Sequence, residues 1–332
     1  MGRGWVLLAA MVAAAAWAAG QAQPSPHGTL LTYAKAVPPY SPNSPLRVWS
    51  AKTNGSGRKL LASGEQPSVS PDGRWIAFTR GATVLLVSPA GGHPTVLANL
   101  AGRYSYVSQP AWAPDARHLA VVDGSGRLWL LDANSKTKRL LVSPRKGTSI
   151  DSFSFSPNSR RLALNISDHT GGDVFVMATS GGKPQRITHD HKDFQVVWGQ
   201  PGIAFNHGGM VPSGDVWLAN PNGSRIRRLT RTKAGIFPAF FSADGRRLLA
   251  ANPATHNGRL WAVNVRTGAA RRLTGWVGDL FPQGLSTDGK TVLAAIGCGG
   301  MVGPYGVVET IPFSGGKPHV IVRGPCRASW NR

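Results

Sequence analysis

Between positions 168 and 256, Asp168, His169, His189, Asp190, His191, Asp193, His207 and His256 bring together side chains that could bind a metal ion or move protons. Imidazole nitrogen and carboxylate oxygen together suit Zn, Mn or Fe. His189, His191 and His207 are the candidate metal ligands. With His169 and His256 they are also candidate ligand-binding residues. No His-Glu-x-x-His motif is present, so any site has to be assembled from separate segments. The competing reading of this stretch is a solvated connecting loop. Arg103, Tyr104, Tyr106, Lys146 and Trp276 belong to the cationic and aromatic types that dominate binding hot spots. Arg103 and Tyr104 are the binding candidates among them.

Two other chemistries are excluded. Gly284 to Thr291 fits the Gly-x-x-x-x-Gly-Lys-Thr phosphate-loop pattern, but that loop works only at the start of a helix. Here Val292-Leu293-Ala294-Ala295-Ile296 follows, which reads as a strand. No Gly-x-Ser-x-Gly nucleophile turn occurs. The sequence assigns no catalytic residue, and a transition metal is the one cofactor candidate.

What would position these residues is a repeat. Ser70-Pro71-Asp72-Gly73, Ala113-Pro114-Asp115-Ala116, Ser156-Pro157-Asn158-Ser159, Ser242-Ala243-Asp244-Gly245 and Ser286-Thr287-Asp288-Gly289 are each followed by a basic residue and then a short apolar run. The second motif position falls at 71, 114, 157, 243 and 287, a period of about 43 with one copy skipped. A degenerate copy, Val197 to Gly202 followed by Ile203-Ala204-Phe205, fills the gap. Ser or Asp, then Pro, then Gly fits a type I turn joining antiparallel strands. A third strand with an aromatic or branched centre follows, as in Leu128-Trp129-Leu130 or Val216-Trp217-Leu218. A Gly-rich turn and a short basic strand complete each unit.

Four strands per unit is the blade pattern of a β-propeller. The predicted fold is therefore all-β, with seven four-stranded blades, six being the alternative. The segment from Thr29 to Leu61 supplies three strands and lacks a first. Ala328-Ser329-Trp330 resembles Ala111-Trp112 ahead of its turn, so the C-terminal strand is expected to complete the first blade and close the ring. Closure would leave no free inner edge.

These repeats resemble the WD40-like (PD40) repeats of the TolB family, whose consensus runs P-x-W-S-P-D-G before an I-A-F strand. The resemblance covers nearly all the chain after residue 22 and implies a propeller. It carries less about function, because propellers host many activities. There is no room for the α/β domain that precedes the TolB propeller. Oligogalacturonate lyases, which use a His-bound metal on an acidic sugar, are seven-bladed propellers with similar repeats.

Arg3, an apolar run from Trp5 to Ala19, and Gly20-Gln21-Ala22 read as a signal peptide over residues 1–22, with a single propeller domain over 23–332. The expected location is periplasmic, or secreted to the cell surface. No other segment is apolar enough to span a membrane, and a monomer is expected. Of the 332 residues, 37 are Lys or Arg and 15 are Asp or Glu, a net charge of +22. Such a charge draws anionic partners. Export argues against nucleic acid and leaves an envelope protein, a peptide or an anionic cell-surface polymer. In an oxidising compartment Cys298 and Cys326 are expected to pair and staple the ring closure, a contribution of about 2–4 kcal/mol. The alternative is two unpaired small core residues. The function expected is that of a binding or scaffold protein. The alternative is a metal-dependent polysaccharide lyase or another hydrolytic propeller enzyme.

Overall fold

The computed structural model describes residues 30–36, 45–102, 104–208, 214–252, 258–275, 280–286, 288–296, 306–324 and 327–330. Among them there is no helix, and none therefore long and apolar enough to cross a membrane. The signal-peptide segment 1–22, Arg103, His256, Trp276, Cys298 and Cys326 lie outside the described residues.

Seven four-stranded antiparallel sheets form the ring. Blade 1 holds β1 (Leu30–Ala36), β2 (Leu46–Lys52) and β3 (Lys59–Ser63). Blade 2 holds β4 (Glu65–Val69), β5 (Ile76–Arg80), β6 (Thr83–Val87) and β7 (Thr95–Asn99). Blade 3 holds β8 (Ala111–Trp112), β9 (His118–Val122), β10 (Leu128–Asp132) and β11 (Lys138–Val142). Blade 4 holds β12 (Ser149–Phe155), β13 (Arg161–Asp168), β14 (Gly171–Ala178) and β15 (Gly181–Arg186). Blade 5 holds β16 (Asp193–Gly199), β17 (Gly202–His207), β18 (Asp215–Ala219) and β19 (Arg227–Arg228). Blade 6 holds β20 (Phe237–Phe241), β21 (Arg247–Asn252), β22 (Arg259–Asn264) and β23 (Ala270–Arg272). Blade 7 holds β24 (Leu280–Leu285), β25 (Thr291–Ile296), β26 (Val307–Pro312) and β27 (His319–Arg323).

The last strand, β28 (Arg327–Trp330), returns to blade 1 and pairs with β1, placing Leu31 opposite Trp330 and Ala34 opposite Arg327. The ring closes as the repeat predicts. The degenerate copy is a true blade whose β16–β17 hairpin turns through Gly199 and Gly202, so the count is seven rather than six.

The repeat motif folds for a reason visible in its hydrogen bonds. Ser70 Oγ donates to Asp72 Oδ1 (2.6 Å) and accepts from the Trp75 N–H (2.9 Å). Asp72 Oδ1 also accepts from the Arg74 N–H (3.1 Å). Gly73, at φ +70°, donates to the Ser70 carbonyl. A left-handed residue at the fourth position is what favours glycine there. The same bonds recur around Ser156, Ser242 and Ser286. In blade 3, where Ala113 has no hydroxyl, Asp115 alone caps the turn, through the N–H groups of Arg117 and His118.

The core is not one cluster but seven, one at each blade–blade interface. Strand alternation produces this. In β13, Leu162 and Leu164 pack toward blade 3 while Ala163 packs toward blade 5. In β5, Ile76 and Phe78 face blade 1 and Ala77 faces blade 3. Both faces of each inner strand are buried, which is why these runs are continuously apolar. Each large side chain so buried contributes roughly 1.5–3 kcal/mol.

Antiparallel order gives the ring two distinct ends. One carries the turns from first to second strand and from third to fourth. The other carries the loops from second to third strand and the crossings between blades. We call them the turn end and the loop end.

Candidate functional site

The loop end gathers the histidine-rich segments, as the topology requires. The β13–β14 loop of blade 4 lies against the crossing into blade 5: Thr170 Oγ1 sits 3.2 Å from His191 Nδ1. The approach is close enough that a Cβ on Gly171 would fall 1.8 Å from the His191 carbonyl oxygen. Only glycine fits there.

Within this region three ligand-type side chains converge. Asp193 opens β16 and His207 ends β17, and the strand register sets them opposite each other. His207 Nδ1 lies 2.8 Å from Asp193 Oδ1 and 3.5 Å from Asp190 Oδ2. One ligand atom from each of the three residues lies within 4.8 Å of the others. The Trp217 ring stands against the imidazole, with centroids 4.7 Å apart. Asp193 is 1% exposed. Burial pushes its carboxyl up; the Thr188 hydroxyl and His207 oppose that shift, and Asp190 adds to it.

Of the three histidines proposed as metal ligands, His207 alone joins this group. His191 is turned away. At φ +56° its imidazole sits between Thr170, Arg186 Nη2 (3.2 Å) and Asp173 Oδ2 (3.3 Å). His189 and His169 are exposed on the same end. Asp190 and Asp193, carboxylates that the sequence groups with the histidines but outside the three named ligands, are the partners His207 acquires. Tyr104 and Tyr106 are exposed at 55% and 50% and stack at 6.3 Å in the crossing from blade 2 to blade 3. Lys146 is exposed in the next crossing.

A clasp escaped the sequence reading. Asp215, 2% exposed, begins β18 and accepts from Arg228 Nη2 (2.5 Å), Thr230 Oγ1 (2.7 Å), the Thr232 N–H (2.8 Å) and Thr232 Oγ1 (2.9 Å). Burial alone would raise this carboxyl, but those donors, Thr230 foremost, hold it below its ordinary range. Asp173 repeats the pattern with Arg186, Thr188 and the His191 N–H. Each Asp lies thirteen residues before its Arg, and that spacing was the available signal. Arg259 occupies the matching place in blade 6, beside Arg272, where burial first and Arg272 second depress its pKa.

The phosphate-loop look-alike is a hairpin turn between β24 and β25, with Ser286 Oγ bonded to Asp288 and to the Thr291 N–H. It has no helix to present to a phosphate.

The turn end is basic. Its five carboxylates among the described residues, Asp72, Asp115, Asp132, Asp244 and Asp288, all accept hydrogen bonds within their own turns. Asp132 also pairs with Arg117 at 2.6 Å, and these donors outweigh its burial to hold it far below the usual range. Exposed cations project from six successive blades there: Arg74, Lys136, Arg160, Arg225, Arg246 and Lys290.

The sequence matches no protein-family profile and no curated protein. Solved structures do match in shape. TolB from Acinetobacter baumannii superposes with a TM-score of 0.56 at 18% identity, over 93% of this chain and 68% of that one. An oligogalacturonate lyase in complex with manganese gives 0.61 at 14%, over 91% and 86%. A puromycin-hydrolyzing peptidase of Mycobacterium tuberculosis gives 0.66 at 14%, over 95% of this chain and 55% of the peptidase. At such identities the likeness establishes the fold alone: this chain is a seven-bladed β-propeller, similar in shape to the propellers of TolB, the lyase and the peptidase.

Proposed function

We propose that the chain is an exported recognition protein of the cell envelope whose partner is anionic. The observation that supports this reading is the turn end. Every carboxylate described there is engaged by its own turn, Asp72 also by Arg74 at 3.7 Å, while blades 2 to 7 each project an exposed Lys or Arg. A ring of like charges separated by one blade repeat suits a partner with repeating negative charge. A uronic-acid or phosphodiester polymer of the envelope has that chemistry. A field of this kind raises encounter rates and is screened by salt.

The test compares the two ends. Replacing Arg74, Arg160, Arg246 and Lys290 by Gln should lower the salt needed to elute the protein from an immobilised uronic-acid polymer. Replacing Arg145, Lys146, Arg231 and Lys233 at the loop end removes the same charge and should leave elution nearly unchanged. Equal shifts would reduce the interaction to net charge and sink the reading. Fractionation should find the chain outside the cytoplasm without residues 1–22; an intact leader in the cytosol would contradict export.

A second reading, a metal-dependent lyase acting on an acidic polysaccharide, draws support from the Asp190, Asp193 and His207 group and from the likeness to the manganese-bound lyase. Release of unsaturated uronide ends from oligogalacturonate would favour it over simple binding.

A further inference from the structure

We propose that Asp190, Asp193 and His207 form a binding site for one divalent transition metal, Mn(II) or Zn(II), at the loop end between blades 4 and 5. The inference is independent of the turn end and does not require catalysis.

It begins with how this protein treats its other buried aspartates. Asp123, Asp132, Asp173 and Asp215 each contact an arginine: Arg127, Arg117, Arg186 and Arg228. A buried carboxylate without such compensation is costly. Asp193 is equally buried, yet in a chain with 37 Lys and Arg its ion-pair partner among the described residues is an imidazole. Its second oxygen, Oδ2, is buried with no donor in hydrogen-bonding geometry. The Thr188 hydroxyl is near enough to lower the carboxyl's pKa, but its own hydrogen bond runs to Asp173 Oδ1 at 3.4 Å. Asp190 adds a second carboxylate beside the same imidazole. Two carboxylates and one imidazole thus face each other where the other four buried aspartates each meet a guanidinium.

The spacing also fits. Metal–nitrogen and metal–oxygen bonds of about 2.1 Å place neighbouring ligand atoms roughly 3–3.5 Å apart. His207 Nδ1 lies 3.5 Å from Asp190 Oδ2, inside that range, and 2.8 Å from Asp193 Oδ1, a hydrogen bond that a bound ion would replace with a small widening. The ligands sit on ordered parts: Asp193 and His207 are paired across two strands, the Asp193 carbonyl accepts from buried Asn165 Nδ2 (3.0 Å), and Trp217 abuts the imidazole. A mixed oxygen and nitrogen set suits Mn or Zn. Three protein ligands leave the remaining positions to water or to an oxygen ligand.

The test uses the full chain, stripped with chelator and titrated with MnCl₂ and, separately, ZnCl₂ by calorimetry. One equivalent should bind. Asp190→Asn and His207→Gln should each weaken binding by more than about tenfold, and His189→Ala should not. Because the Asp190 side chain is 46% exposed, its variant keeps the fold. Circular dichroism of each variant verifies that. Absence of stoichiometric binding overturns the proposal. So does stoichiometric binding that survives both Asp190→Asn and His207→Gln, which would place the ion elsewhere.

Discussion

Asp215→Ala isolates the clasp that ties the crossing from blade 5 to blade 6 to the strand beside it. The carboxylate is 2% exposed and accepts bonds from Arg228, Thr230 and Thr232. Breaking a buried ion pair costs about 3–5 kcal/mol. The Arg228 side chain is 35% exposed and can turn toward water, which places the expected loss near the lower bound, about 3 kcal/mol. Unfolding entropy of about 2.1 cal/mol/K per residue gives roughly 0.6 kcal/mol/K for a ring of some 300 residues. The melting temperature should therefore fall by about 5 °C. Asp215→Asn keeps an acceptor for the Thr232 N–H and should lose about half as much. Urea unfolding of the single and double variants with Arg228→Ala would measure the coupling. A loss below about 1 kcal/mol, or strict additivity of the two substitutions, would refute the clasp as a stabilising unit.

Leu164→Ala opens the interface between blades 3 and 4 and should cost about 2–5 kcal/mol in urea unfolding, because a rigid two-sheet interface collapses poorly around a void. Glu309, 7% exposed, is raised above its ordinary pKa by burial. An acid with a raised folded pKa contributes stability at low pH and loses it as pH rises through that pKa. Glu309→Gln should therefore stabilise the protein at neutral pH and lose that advantage near pH 4, as read by unfolding at both pH values. Arg259→Asp should build in blade 6 the pairing that Asp215 makes in blade 5 and raise the melting temperature; a fall would contradict the equivalence of the two positions.

The repeat made the fold legible, because the turn chemistry of Ser70, Ser156, Ser242 and Ser286 is local and writes itself into four consecutive letters. The fifth blade was legible mainly through the gap it left, since its hairpin turns on Gln200 and Pro201, between the paired Gly199 and Gly202, without the serine. Ring closure could be read from Ala328-Ser329-Trp330 because an inner strand carries the same pattern wherever it lies in the chain. The candidate site was legible only in part. Histidines drew the eye to residues 189–207, but which side chains meet depends on a register between β16 and β17 and on the left-handed turn at His191. Those choices pair His207 with Asp193 and send His191 to Asp173. The row of cations along the turn end was hidden for a similar reason. Linear sequence interleaves the turn-end and loop-end segments every ten residues or so, and the ring sorts them.

The most direct test of the central claim is the salt dependence of binding to isolated cell-envelope fragments. Each cation that meets an anionic charge adds on the order of one unit to the slope of log K against log salt. The account predicts a shallower slope, by several units, when Arg74, Arg160, Arg246 and Lys290 become Gln, with the loop-end variant retaining the wild-type slope. Identical slopes for wild type and the turn-end variant would show that the turn end does not meet the envelope, and the claim would fall.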